Sequence, residues 1–148
     1  RAWPRIPASC NVARGCGCHA DEVPLRCLIV DDNAGFLKAA AALLEREGVT
    51  VVGVASNGAE ALRRARELRP DVVLVDIALG AESGLELAPR LVEADPDGAR
   101  VILISTHAEA DFADLIDATP AVGFVPKSKL SASAVRRLAA RPNEPRGT

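Results

Sequence analysis

Methionine and tyrosine are absent from this 148-residue chain, and one tryptophan and three phenylalanines supply all of its 3% aromatic content. A core must therefore be assembled from Val, Leu, Ile and Ala, and a hydrophobic fraction of 49% is ample for one. Charged residues make up 26%, which together with that apolar content excludes wholesale disorder. No apolar run approaches the roughly 20 residues of a membrane helix. A basic excess is also missing: the net charge is −2 and the pI about 5.7, against a strongly basic nucleic-acid or membrane-surface binder. Nothing near the start resembles a secretory signal, because Pro4, Pro7 and Cys10 interrupt any apolar stretch. The expectation is a cytoplasmic globular domain. The missing methionine leaves Arg1 first, as in a processed product, a fragment or a chain whose true start lies elsewhere.

The chain divides into three parts. Residues 1–25 hold three of the ten prolines and three of the four cysteines without apolar periodicity, and read as an irregular or disordered extension. Cys10, Cys16, Cys18 and His19 lack the paired C-x2-C spacing of a zinc site and are expected to be incidental thiols and imidazole. Residues 26–140 form one domain, and residues 141–148 are a short tail.

Within 26–140 the text is regular. Short apolar runs at 27–30, 49–55, 72–75, 101–104 and 122–125 alternate with helical patterns over 34–47, the stretch from Ala61 to Leu68, and 85–94, 108–117 and 131–140. Gly48 is placed to stop the first helix, and the second ends before Pro70. Five strands alternating with five helices predict an α/β fold, a doubly wound (βα)5 parallel sheet of the flavodoxin-like type with strand order 2-1-3-4-5. Strands apolar throughout suit a sheet covered on both faces.

In such a sheet ligands bind beyond the carboxyl ends of the strands. Four of the five strands end there in a reactive side chain: Asp31 and Asp32, Asp76, Ser105 and Thr106, and Lys127. Three carboxylates in one crevice repel one another unless a cation joins them, and hard oxygen ligands suit Mg2+. A carboxylate beside Mg2+ can attack a phosphoryl group, with Ser105 and Lys127 suited to the transferred oxygens. Each residue also has a plainer use. Asp32 could cap the first helix, Asp76 could hydrogen-bond its own loop, and Ser105 or Thr106 could cap the fourth helix with Glu109. Lys127 could be a solvated lysine, although with only three Lys against fifteen Arg a compact point charge stands out.

The stretch Leu28-Ile29-Val30-Asp31-Asp32, the strand ends at Asp76 and Ser105-Thr106, and Gly123-Phe124-Val125-Pro126-Lys127 resemble the response-regulator receiver domain of two-component signalling, over about residues 26–140. The resemblance implies that Asp76 accepts phosphoryl from a sensor histidine kinase. It implies Mg2+ held by Asp32 directly, by Asp31 largely through water, by Asp76, and by the backbone carbonyl of Ala78. Ser105 would be the switch hydroxyl, Lys127 its cationic partner and Phe124 the aromatic that repacks, unless Phe124 is simply a half-buried strand residue. The switched surface, formed by the fourth helix, fifth strand and fifth helix, would be read by a partner or by a second copy in a homodimer.

The chain departs from the family at several places. Leu79-Gly80-Ala81-Glu82-Ser83-Gly84 replaces a common Met-Pro-Gly-Met-Asp-Gly, and losing proline for Gly80 should make that loop more mobile. Thr106 stands where a small residue is expected. Ser128 follows Lys127 in place of a frequent proline, as in receivers that usually precede a helix-turn-helix output. Ala78 and His107 occupy positions that tune phosphoryl lifetime in the family, and neither carries a carboxylate or amide to position water.

Two other functions compete. A non-phosphorylated pseudo-receiver would not need Asp32, Asp76 and Lys127 together. An aspartate-based phosphatase needs an acid–base Asp two positions after its nucleophile, where this chain has Ala78. No direct DNA binding is expected of this chain, since Arg136, Arg137, Arg141 and Arg146 form only a short basic stretch with no helix-turn-helix after it, and no output domain is expected before Thr148.

Overall fold

The computed structural model describes residues 25–80, 82–94, 100–106 and 113–140. The extension with its cysteines and His19, the positions His107 and Glu109, and the tail all lie outside the described residues.

Five parallel strands form the sheet: β1 (Arg26–Val30), β2 (Thr50–Ala55), β3 (Val72–Asp76), β4 (Arg100–Ser105) and β5 (Gly123–Pro126). Their order is β2-β1-β3-β4-β5, as the alternating pattern predicts. The helices are α1 (Ala34–Arg46), α2 (Gly58–Leu68), α3 (Gly84–Ala94), α4 (Ala113–Asp117) and α5 (Ala132–Ala139).

The strands need apolar side chains on both faces because the two-residue period sends neighbours to opposite sides. Cys27, Ile29, Val72, Leu74, Ile102 and Ile104 pack with Leu37, Ala40 and Leu44 of α1 and with Ala134 and Val135 of α5. Leu28, Val30, Val73, Val75, Val101 and Leu103 pack with Ala61 and Ala65 of α2, Leu87 and Leu91 of α3 and Ile116 of α4. The result is a three-layer sandwich with one apolar cluster on each face of the sheet. Among the described residues no helix is long and apolar enough to cross a membrane.

Helix ends follow local chemistry. The α1 cap is Asn33, whose side chain accepts from the Phe36 amide at 3.0 Å, so Asp32 does not cap this helix and stays available for other work. Gly48 stops α1 as expected and takes φ +100, which leaves Val49 bonded back to Leu44 and starts β2 one residue late. Arg69 ends α2 at φ 49, doing before Pro70 what glycine usually does.

Cys27 is fully buried, and burial pushes its thiol far above the ordinary cysteine value. Alkylation of the folded chain with iodoacetamide should therefore leave Cys27 unmodified until denaturant is added, with peptide mass spectrometry locating the label. Rapid native labelling at Cys27 would show that β1 opens far more readily than this packing implies.

Candidate functional site

The carboxyl ends of β1, β3 and β5 meet at one edge, and the residues just past them form a compact charged cluster. The Asp31 amide still donates to Ala55, at 3.0 Å, so the chain follows the sheet one step beyond Val30. Asp31, still held to the sheet, is completely buried, while Asp32, where the chain bends away from it, is exposed. Asp31 Oδ1 accepts from the Asn33 amide at 2.8 Å. Its Oδ2 lies 2.6 Å from Lys127 Nζ, a buried ion pair.

Asp76 closes β3 and is 5% exposed. Its Oδ1 accepts from the Ala78 amide at 3.1 Å, the loop hydrogen bond expected of an Asp at this place. Its Oδ2 accepts from Lys127 Nζ at 3.0 Å. The plain use and the chemical one coincide in a single side chain.

Lys127 follows β5 directly and opens a short 3-10 turn, Lys127–Lys129. It is no solvated lysine: its side chain is 13% exposed, bridges Asp31 and Asp76, and holds its ammonium 4.4 Å from the centre of the Phe36 ring. Burial works against its charge, but the two facing carboxylates outweigh that and hold its pKa above the ordinary lysine value. For Asp76, burial lifts the carboxyl above the usual carboxylate range, with Asp31 adding to it and the Ala78 amide and Lys127 pulling against it.

One ammonium pairs with two members of a group of three carboxylates. Asp31, Asp32 and Asp76 each offer an oxygen, and these oxygens lie within 4.8 Å of one another. A fully buried Asp31, an exposed Asp32 and this compact all-oxygen set, whose charge one ammonium does not balance, suit a hard divalent cation such as Mg2+. The residues present fit that group.

The other expected residues are placed as follows. Ser105 is buried at the end of β4, one step past the rung that pairs Asp76 with Ile104 and opposite Pro126, the neighbour of Lys127. Thr106 is exposed. Phe124 is 9% exposed within the cluster that includes Leu103 and Ile116, more buried than a half-covered strand residue. Ala78 lies in a feature not foreseen from sequence, a two-residue antiparallel ladder pairing Ala78 with Ser83 and Leu79 with Glu82. Gly80 sits at its tip with φ +62, a value that glycine takes without strain.

Sequence reasoning misses Phe36 and Glu82. Phe36 is one of only three phenylalanines and stands in the first turn of the helix that follows the Asp pair, which is the signal that could mark it. Glu82, a carboxylate in an otherwise small and apolar loop, enters the sequence reading only as part of a departure from the family. It reaches the start of α2, where its Oε1 accepts from the Gly58 amide.

Comparison with known proteins agrees with this geometry. The sequence profile of the response regulator receiver domain matches residues 27–138. Response regulator GacA of Pseudomonas viridiflava is 33% identical over 118 residues, covering 77% of this chain and 53% of its own length. A LuxR-family two-component response regulator from Aurantimonas sp. SI85-9A1 superposes with a TM-score of 0.70 at 32% identity, over 80% of this chain and 87% of that one. A Burkholderia pseudomallei response regulator solved with a phosphorylated aspartic acid, a calcium ion and citrate has a TM-score of 0.69 at 28% identity, over 80% of this chain and 68% of that one. The chain spans about half the length of the curated relatives it matches.

Proposed function

Since the chain belongs to the response regulator receiver domain family, we propose that Asp76 accepts a phosphoryl group from a sensor histidine kinase and that the phosphorylated domain works as a cytoplasmic signalling switch. The observation that carries the reading is the cluster itself: Asp76 Oδ2 bonded to Lys127, with Asp31 and Asp32 converging beside it.

Asp31, Asp32, Asp76 and the Ala78 carbonyl would hold Mg2+, which when bound supplies positive charge against the carboxylates and the incoming phosphoryl oxygens. A carboxylate oxygen of Asp76 forms a bond to phosphorus while the bond from phosphorus to the donor nitrogen breaks, leaving an aspartyl phosphate and the donor histidine. Lys127 pairs with a phosphoryl oxygen, and its approach is set by Asp31 below and the Phe36 ring beside it. Ser105 donates its hydroxyl to a second phosphoryl oxygen, and Phe124 repacks as β4 adjusts. The surface of α4, β5 and α5 then changes and is read by a partner or a second copy of the chain. In a protein of the relatives' full length, that switch would act on an output unit that regulates transcription. The domain is a phosphoacceptor rather than a turnover enzyme: Ala78 brings no acid–base side chain to the position where an aspartate-based phosphatase needs one.

The test is uptake of one phosphoryl group from a small phosphodonor such as acetyl phosphate, read by intact mass. Label should appear with Mg2+ and vanish with a chelator. A folded chain that takes no label in Mg2+ leaves the pseudo-receiver as the better description.

A further inference from the structure

Glu82 joins two parts of the molecule that the phosphoacceptor chemistry does not otherwise connect. It stands in the loop after Asp76, and its Oε1 accepts a hydrogen bond of 2.9 Å from the Gly58 amide, the first residue of α2. The free amides of a helix start need acceptors, and a carboxylate suits that end of the helix dipole. Here the local acceptors are already engaged: Asn57 Oδ1 takes the Glu60 amide at 2.8 Å, and Glu60 Oε1 takes the Ser56 amide at 2.9 Å. The Gly58 amide is met by a carboxylate arriving from another element.

Gly58 permits this approach. A Cβ there would collide with Glu82 Oε1, and the next atom it would meet, Leu87 Cδ1, is 3.4 Å away at ordinary contact distance. Only the end of a flexible side chain stands in the way.

From Glu82 the connection to the site is short. Glu82 pairs with Leu79 in the ladder whose other rung joins Ser83 to Ala78, and the Ala78 amide donates to Asp76 Oδ1 at 3.1 Å. At the tip of the same loop a Cβ on Gly80 would lie 3.2 Å from Asp32 Oδ2. One loop therefore bonds the Asp76 carboxylate and passes beside that of Asp32, and Glu82 is its tether to the body of the domain. The glycine expected to loosen the loop sits between two anchors.

We propose that Glu82 is a positioning residue of the phosphoacceptor site, pinning the ladder of Ala78 and Leu79 with Glu82 and Ser83 to the start of α2 so that the Ala78 carbonyl and the Asp76 carboxylate are set for a divalent cation. This rests on the receiver reading of the site. Glu82 is exposed, so its worth lies in placement more than in stability.

The experiment is calorimetric titration of Mg2+ into the parent chain, Glu82→Ala, Glu82→Gln, Gly58→Ala and the Gly58→Ala/Glu82→Ala pair, with thermal melts of each in the absence of the cation. Glu82→Ala and Gly58→Ala should bind Mg2+ more weakly by roughly threefold to tenfold, the loss of one charge-assisted hydrogen bond being felt only in part at the metal. The double variant should be no weaker than either single one, because both break the same contact. Glu82→Gln keeps an acceptor oxygen and should bind nearly as the parent does. Gly58→Ala should melt close to the parent, the helix preference of alanine offsetting part of the lost hydrogen bond, and a melt well above the titration temperature separates the metal effect from unfolding. Parent-like affinity in Glu82→Ala or Gly58→Ala overturns the proposal, as does a loss in Glu82→Gln equal to that in Glu82→Ala. A folded parent chain that binds no Mg2+ instead overturns the receiver reading, and the tether with it.

Discussion

Asp76→Asn is expected to take up no phosphoryl group from acetyl phosphate under conditions that label the parent chain, a fall of roughly 10³-fold or more for loss of an attacking group. The substitution keeps the size and shape of the side chain, but its single oxygen can take over only one of the two hydrogen bonds that hold Asp76 now, from the Ala78 amide to Oδ1 or from Lys127 to Oδ2, and its amide nitrogen meets the other donor. It also removes one negative charge from a cluster of three carboxylates of which a single ammonium pairs with two, and burial already disfavours the charged form of Asp76. Without added cation the relieved charge and the lost hydrogen bond oppose each other, so the variant should stay within roughly 1 kcal/mol of the parent by denaturant titration. The two readouts together exclude the trivial explanation that the substitution simply unfolds the domain. Hydroxylamine, which releases acyl phosphates but not phosphate esters, adds a chemical check on the parent's label. If Asp76→Asn labels like the parent, the acceptor lies elsewhere and the roles given to Lys127 and Ser105 go with it.

Much of this site is legible in the sequence because a parallel sheet converts chain order into position. Once five apolar runs alternate with helical patterns, Asp31, Asp76 and Lys127 must share one edge, although Lys127 and Asp76 are 51 residues apart. What the sequence does not disclose depends on which face a residue takes and on contacts between elements. Asp31 and Asp32 are chemically identical neighbours, and only the point at which the chain leaves the sheet decides that one is sealed against Lys127 while the other faces solvent. Asp32 and Asn33 are both good helix caps, and a shift of one residue gives the cap to Asn33 and leaves the acid for the site. The Glu82 tether spans 24 residues between a loop and a helix start, and no local pattern announces such a pair. Phe124 stays open between two descriptions in the sequence because a strand residue's burial depends on the helix laid over it, here through Ile116 of α4.

Gly84→Ala should be the most damaging single methyl in the domain, lowering stability by about 3 kcal/mol, at the upper end of the usual overpacking penalty. Gly84 opens α3 and donates its amide to the Ile77 carbonyl at 2.7 Å, which brings the helix start against the end of β3. A Cβ there would collide with the Asp76 carbonyl oxygen and lie 2.8 Å from the Asp76 carbonyl carbon and 2.9 Å from Val75 Cγ1. Two of those three atoms are backbone of a central strand with neighbours on both sides, so relief requires moving α3 or distorting the sheet. The gain from stiffening the unfolded chain, roughly 0.4–1 kcal/mol, offsets only part of this. Gly123→Ala is the internal comparison: a Cβ there meets Leu138 Cδ2 at 2.6 Å, Cδ1 at 2.8 Å and Cγ at 3.1 Å, but all three belong to one half-buried side chain that can shift, with no backbone atom among them. Its cost should be nearer 1 kcal/mol, roughly the lower end of the same range. Urea titrations followed by circular dichroism should show the difference as a lower midpoint with an unchanged slope. Because the atom struck at Gly84 belongs to the residue that carries the acceptor carboxylate, phosphoryl uptake by the folded fraction should fall as well, whereas Gly123→Ala should label normally. Equal stability losses in the two variants would mean that the α3 start yields as easily as a leucine side chain, and that Asp76 is not held by the backbone packing described here.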